Sequence, residues 1–323
     1  MNVRIAAVAI GRNEGGRLKR CLTSLQAQVG RIVYVDSGSS DGSVAFAHSI
    51  GAEVVELDMS DPFTAARARN AGFDALRAGG LPDIVQFVDG DCGVQPGWIK
   101  AGMQALDSEP EIGMVTGWRS EIAPEASLYN AQCQMEWRRP AGLIEACGGD
   151  MMVRSVAWDQ IKGMNPNVIA AEDDEFCVRL RKAGWQMRRI PVEMTLHDAA
   201  MTRFSEWWKR AERSGHGFAQ VGHLHRSYFV RERRRVWVWG LLMPLLFLAG
   251  LIWAKWLAAL VVLAYAASWL RSSQHVMRLG HSAGAALKHG AFLTLWKIPN
   301  LIGMLRFHLR RLRHQDMHII EYK

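Results

Sequence analysis

The sequence predicts an α/β fold, a doubly wound and mostly parallel sheet, followed by a helical region that associates with membrane. Two observations carry this. Over residues 1–118, short apolar runs alternate with segments of helical period. Further on, residues 236–270 form an apolar block in which Lys255 is the only charge.

The apolar runs lie at 5–10, 32–35, 53–57, 84–88 and 114–118, each bounded by turn residues. Between them, Leu18, Cys21, Leu22 and Leu25 share one helix face, Ala68, Ala71, Ala75 and Leu76 another, and Ile99, Met103 and Leu106 a third. Strand alternating with helix gives a parallel sheet that takes ligands at the carboxyl ends of its strands. Chemistry is therefore expected just after Ile10, Val35 and Val88. Downstream, the pattern predicts a helix over 130–138, a turn at Gly148 and Gly149, a helix from Glu172 and a strand ending at His197.

The formal net charge is +8, and its placement matters more than its size. Arg231, Arg233, Arg234 and Arg235 precede the apolar block, Arg271 follows it, and Arg306, Arg310, Arg311 and Arg313 lie near the C-terminus. Basic flanks of this kind suit anionic lipid on the cytoplasmic face. There is no basic stripe with interleaved aromatics, so membrane lipids and not nucleic acid are the expected partners. Five cysteines make an odd count without a C-x-x-C pair, which fits a reducing compartment. Residues 5–10 already read as a buried strand and 12–20 are polar, so no signal peptide is expected. These observations place the chain on the cytoplasmic face of the cell (inner) membrane.

Three loops carry candidate chemistry. GRNEGG at 11–16 and DSGSSDGS at 36–43 each have an ordinary explanation as glycine loops, with Asp41 or Ser43 capping a helix. Together, at adjacent strand ends, they suit a base and ribose: Asp36 can accept from a uracil N–H and Glu14 can bond a ribose hydroxyl. In VDGDCG, Asp89 and Asp91 can hold one hard divalent cation, Mg²⁺ or Mn²⁺, whose remaining positions bind diphosphate oxygens. Farther on, four acids occupy 172–175. Acids in a first helical turn are stabilising without any catalytic role, but a general base also needs a carboxylate on such a rigid element.

NExxRLxxCLxSL at 13–25, VDSGSSDGS at 35–43, ARNAG at 68–72, DGD at 89–91, GGDMMVR at 148–154 and EDDEF at 172–176 together resemble the family 2 glycosyltransferases, specifically a membrane-associated bacterial polysaccharide-type member. The resemblance covers about residues 3–200. It implies the GT-A fold, inversion at the anomeric carbon and a nucleotide-sugar donor, most commonly a UDP-sugar. It implies that Asn13, Glu14, Asp36, Ser37, Arg69, Asn70, Asp89, Gly148 and Gly149 bind the nucleotide sugar. Asp91 is the more direct metal ligand with Asp89 beside it, and His197 is a third candidate, since some relatives use a histidine there. Asp173 is the expected catalytic base, with Glu172 beside it and Asp174 competing.

The stretch 207–218 reads first as a packing face of Trp207, Trp208, Ala211 and Phe218; the functional alternative sets Arg213 and His216 over the acceptor or diphosphate. Processive relatives carry a Gln-x-x-Arg-Trp motif that this sequence lacks, so one sugar per encounter is expected. The domain scheme is a catalytic domain over 1–235 (nucleotide-binding half 1–118, acceptor half 119–235), a membrane hairpin over 236–270, and an interfacial helix with a basic tail over 271–323. A continuous helix over the block would be about 50 Å long against a hydrocarbon core of about 30 Å, so two helices turning near 254–255 are expected, with Pro244 kinking the first. The interfacial helix is assigned to 284–305; the alternative is a helix packed on the catalytic domain. The expected acceptor is a polyprenyl-linked glycan held in the membrane, with other polysaccharide-assembly enzymes as further partners. Transfer directly to a polyprenyl phosphate, or an inactive sugar-nucleotide-binding assembly factor, are the alternatives.

Overall fold

The computed structural model describes residues 4–320. Internal packing divides the chain into two units, Met1–Ala126 with Cys133–Ala200, and Ser127–Gln132 with Met201–Lys323. Residues 201–235, grouped by sequence with the catalytic domain, thus pack with the C-terminal helices.

The first unit holds nine described strands: β1 (Ile5–Gly11), β2 (Ile32–Asp36), β3 (Glu53–Glu56), β4 (Ile84–Asp89), β5 (Cys92–Val94), β6 (Ile112–Glu121), β7 (Gly142–Leu143), β8 (Met151–Arg154) and β9 (Gln186–His197). Around them run α1 (Gly16–Gln26), α2 (Ser43–Ser49), α3 (Ala65–Ala78), α4 (Trp98–Ser108), α5 (Leu128–Trp137, shared between the units), α6 (Ser155–Gln160) and α7 (Glu172–Lys182). In β1 the residues from Ala6 to Ile10 are all buried, because helices cover both faces of the sheet. Ala7 and Ala9 pack with Leu18, Leu22 and Leu25 of α1, whereas Ala6 and Val8 pack with Phe73 and Leu76 of α3. That two-sided cover is why these strands read as continuous apolar runs.

The strand order is β3-β2-β1-β4-β8-β6-β9-β5, with β7 also on β9. From β3 to β4 every pairing is parallel, as the doubly wound reading expects. Beyond β4 the sheet is mixed: β8 runs against both β4 and β6, β6 is parallel to β9, and β5 and β7 run against β9. Only Gly90 and Asp91 separate β4 from β5, and β5 joins the sheet at its other end, on β9. The parallel register sets Gly11 beside Asp36 and Ile10 beside Asp89, so the three polar loops leave one edge of the sheet at the same level.

The second unit contains α8 (Phe204–Leu224), α9 (Val230–Val236), a π-helical turn (Trp237–Leu242), α10 (Met243–Trp253), α11 (Lys255–Arg278), α12 (Ala283–Leu295) and α13 (Lys297–Leu312). Val230–Trp253 and Lys255–Arg278 are each 24 residues, about 36 Å, long and apolar enough to cross a membrane. They break at Ala254, where the hairpin turn was expected. Each is longer than the apolar block allowed, because flanking arginines are good helix formers and continue the helices outward. The segment 284–305 becomes two helices. Of these, α13 is buried against α8: a β-carbon at Gly303 would lie 1.9 Å from the Glu212 carbonyl oxygen, and the Asn300 amide donates to the Ala211 carbonyl at 2.5 Å.

Pro244 explains the π-helical turn. It has no N–H, and the Met243 N–H reaches back five residues to the Val238 carbonyl. Trp239 is left with an acceptor that neither Met243 nor Pro244 can serve. The Tyr265 hydroxyl of α11 donates to it. Tyr265→Phe should therefore destabilise the hairpin by about 1–3 kcal/mol, the cost of a carbonyl left unsatisfied away from water. Denaturant unfolding of the full chain in micelles checks this, and unchanged stability would contradict it.

Candidate active site

Asn13 joins the first two loops. It adopts a left-handed conformation (φ 54), its side-chain oxygen accepts from the Ser40 N–H at 2.8 Å, and its own N–H donates to Ser39 Oγ at 2.9 Å. The Gly15 N–H donates to Asp41 at 2.7 Å, and the N–H of the buried Ser37 donates to the Gly11 carbonyl at 3.0 Å. Asp36 is buried beneath this pair. It accepts from the Tyr34 hydroxyl at 2.7 Å and from the N–H groups of Gly38 and Ser39 at 2.9 and 2.7 Å. Burial and the bond to Asp36 push the Tyr34 phenol up, which keeps it a donor. Three acceptor positions of Asp36 are thus used inside the loop, so its first task is to shape it. Glu14 pairs with Arg17 at 2.8 Å.

The centre is built on Arg69 of α3. Its guanidinium is buried, and it donates to Asp89 at 2.6 Å and to Glu172 at 3.1 Å. It thereby ties the end of β4 to the first turn of α7. Burial works against the charge, but Asp89 and Glu172 outweigh that and hold Arg69 firmly protonated. Arg119, at the end of β6, donates to the other Asp89 oxygen at 3.1 Å and pairs with Asp150 at 3.2 Å. Asp150 also accepts from the Asp89 N–H at 2.9 Å and the Thr195 hydroxyl at 2.7 Å. Although burial opposes ionisation, Arg69 and Arg119 hold the Asp89 carboxyl below its usual range.

Asp91 faces a different partner. His197 Nε2 lies 3.3 Å from its carboxylate, and Nδ1 lies 3.2 Å from Glu121, which also accepts from the Ala199 N–H. Glu121 orients the ring and turns Nε2 toward Asp91, as an outer carboxylate does for a metal-bound histidine. Trp137 closes this side, packing edge-on to His197 at 4.4 Å and beneath Arg119 at 4.9 Å. The donor atoms of Asp91, Cys92 and His197 lie within 4.8 Å of one another, as do those of Asp89, Cys92 and Asp150. Both Asp89 oxygens are engaged by arginines, and a hard cation prefers oxygen and imidazole to thiol. Asp91 with His197 is the pair that fits a divalent ion.

Gly148 and Gly149 lie against this network. A β-carbon at Gly149 would fall 2.0 Å from Arg69 Nη2, and one at Gly148 would fall 3.5 Å from Arg119 Nη1 and 3.9 Å from Asp173 Oδ2. Asp173 follows Ala171 and Glu172 into α7, the chain turning in through a left-handed conformation at Ala171. Burial, then the charges of Glu172 and Asp174, push the Asp173 carboxyl well up despite nearby Arg69. The Asp174 N–H donates to Asp173 at 2.9 Å.

Two sequence-predicted residues have other partners. Asn70 exchanges two bonds with the Met164 backbone, at 2.8 and 2.9 Å, and braces the loop before α7. His216 is buried in α8 with Phe307 of α13 at 5.4 Å, and burial with neighbouring arginines pushes it down to about 4. Arg213 belongs to the same helix. His216 thus sits in the second unit's helical packing, in line with the reading of 207–218 as a packing face. Missing from the sequence reading are Arg119, Glu121 and Asp150, all at or beside strand ends that reach the centre through the mixed part of the sheet. Only Asp150 had a signal, as the third residue of GGDMMVR.

Two family models match: glycosyl transferase family 2 over residues 8–153, and glycosyl transferase family group 2 over residues 128–298. The chain is a family 2 glycosyltransferase. The pre-mycofactocin glycosyltransferase of Mycobacterium tuberculosis is 25% identical over 227 residues, covering 66% of this chain and 46% of that protein. The chain thus spans about half the length of that curated relative. Glycosyltransferase AglE of Haloferax volcanii is 24% identical over 227 residues, covering 66% of this chain and 72% of AglE. Among solved structures, the mannosyltransferase PcManGT from Pyrobaculum calidifontis superposes with a TM-score of 0.61 at 15% identity, covering 94% of this chain and 88% of that one, a likeness of fold. The sheet and its flanking helices are those of the GT-A glycosyltransferases.

In this glycosyltransferase the close approach at Gly149 is testable. Gly149→Ala should displace Arg69 from Asp89 and cost about 1–3 kcal/mol, the range for overpacking. Urea unfolding of the variant measures it, and wild-type stability would show that Arg69 has room to move.

Proposed function

We propose that the chain moves one sugar from a nucleotide diphosphate donor, with inversion and with a divalent metal, to an acceptor held in the membrane. The observation that carries this reading is the Arg69 bridge, which unites the Asp89 loop with the carboxylates of α7. The nucleoside, uridine in this reading, is assigned to the joined loops of Asn13, Glu14, Asp36 and Ser37. PcManGT, solved with GDP-Man and Mn2+, supports a nucleotide sugar and a metal here.

Asp91 and His197 would hold the metal, whose charge would stabilise the departing diphosphate. Asp89, fixed by Arg69 and Arg119, orients the loop that carries Asp91. Gly148, whose β-carbon would lie 3.9 Å from Asp173 Oδ2, keeps side-chain bulk away from the place where the donor sugar and the acceptor hydroxyl would meet, while Gly149 makes room for Arg69. Asp173 accepts the acceptor proton as that hydroxyl attacks the anomeric carbon from the face opposite the diphosphate. A single displacement inverts configuration and needs no protein nucleophile. The raised Asp173 pKa suits a general base, because a carboxylate that holds protons more tightly is the stronger base.

The two long apolar helices support a chain anchored at the cytoplasmic face of the membrane, where an acceptor such as a polyprenyl-linked glycan would be held. The basic flanks support the cytoplasmic orientation. One sugar is transferred per encounter.

Asp173→Asn should leave donor affinity nearly intact and lower transfer about 10²–10⁴-fold, the range for a lost general base. The wild-type rate should fall as pH drops through the raised Asp173 pKa, with an acid limb above the ordinary carboxylate range, and the variant should lack that limb. A rate–pH series on both proteins measures this; an equal loss in Asp174→Asn alone would reassign the base. EDTA should abolish transfer and Mn²⁺ restore it, while Asp91→Ala should lose most donor binding by calorimetry. Full turnover in chelator would contradict the metal assignment.

A further inference from the structure

The turn between α8 and α9 builds a cationic cleft within the second unit. Arg233 lies across Gly222, where a β-carbon would come within 2.5 Å of its Nε. Its guanidinium donates to the carbonyls of Arg226 at 2.8 Å and Tyr228 at 3.2 Å, which fixes the turn. The cleft beside this clamp is lined by His223, Arg226, Arg233, Arg234 and His308, and no carboxylate is among its lining residues. Its apolar wall includes Trp237 and Val238, about two turns into the helix Val230–Trp253. Burial, then Arg311 and the other cations near each ring, hold His223 and His308 below the usual imidazole range.

We infer that this cleft binds the phosphate headgroup of an anionic membrane lipid. The inference rests on the membrane reading above and adds to it a defined site. Three arginines supply the charge complement for a phosphate, and guanidinium suits its oxygens. The apolar wall suits an acyl chain, and it belongs to a helix able to enter the bilayer. An indole and a basic cluster at the mouth of such a helix are the groups found at the lipid headgroup level. A soluble phosphate or a nucleic acid would leave Trp237 and Val238 without a counterpart.

The test uses the full chain, purified from membranes in detergent, with native mass spectrometry after addition of phosphatidylglycerol or phosphatidylcholine. The wild type should retain one phosphatidylglycerol preferentially. Arg226→Gln and Arg234→Gln should each weaken retention about fivefold, and together about 25-fold, from the usual contribution of a basic residue near lipid. Arg234→Lys should keep most of it, as should Arg278→Gln at the far end of α11. Matched thermal unfolding shows that the variants fold. Equal retention of phosphatidylcholine, undiminished retention by the double variant, or displacement of the lipid by equimolar inorganic phosphate would each overturn the lipid site. Recovery of the wild-type chain in the soluble fraction would instead overturn the membrane reading, and this site with it.

Discussion

Arg69 carries a charge into the interior beside β4, and that charge has to be neutralised where water does not reach it. Desolvating an ion costs several kcal/mol, recovered only by close, well-oriented partners. Asp89 and Glu172 supply them at 2.6 and 3.1 Å. These two carboxylates come from elements far apart in sequence, so one guanidinium fixes the distance between the end of β4 and the first turn of α7. Gly149 is part of the same constraint, since any side chain there would occupy the space of the Arg69 guanidinium. Removing either carboxylate would leave Arg69 with one partner instead of two and cut the link between β4 and α7.

The same arrangement divides labour among the acids. Asp89 is held ionised by two arginines and is thereby committed to shaping its loop. Asp91, two residues on, has the His197 ring 3.3 Å from its carboxylate. Burial, and then the charges of Glu172 and Asp174, raise the proton affinity of Asp173. Carboxylates in one neighbourhood thus acquire different acidities from their burial and their partners, and the proposed chemistry uses that difference.

Much of the architecture was legible because burial leaves a period in sequence. The strands up to β4 and the helices α1 and α3 show it directly, and so do the loops that follow β1, β2 and β4. Positive flanks and a near-chargeless run marked the place of two long apolar helices, which break at Ala254. What stayed hidden depends on pairing across the sheet. Arg119 and Glu121 lie near the end of β6 and look in sequence like ordinary exposed strand residues, yet β6 beside β9 delivers them to Asp89 and His197. Asn70 shows the converse: it sits next to Arg69 in a motif, but helical rotation turns it toward the Met164 backbone. The packing of α13 on α8 was obscured because Gly215, Asn300 and Gly303 allow close approach while adding almost nothing to hydropathy.

The claim that one guanidinium couples the Asp89 loop to the first turn of α7 is tested most directly by Arg69→Lys, with single-turnover transfer and donor binding measured on the same preparation. Lysine keeps the charge but cannot reach two carboxylates with a planar fork. The variant should fold and bind donor within about tenfold of wild type, while transfer falls about 100-fold, the scale expected when reacting groups are misplaced by about 1 Å. Transfer within twofold of wild type would show that the two loops hold their places without Arg69, and would contradict the account.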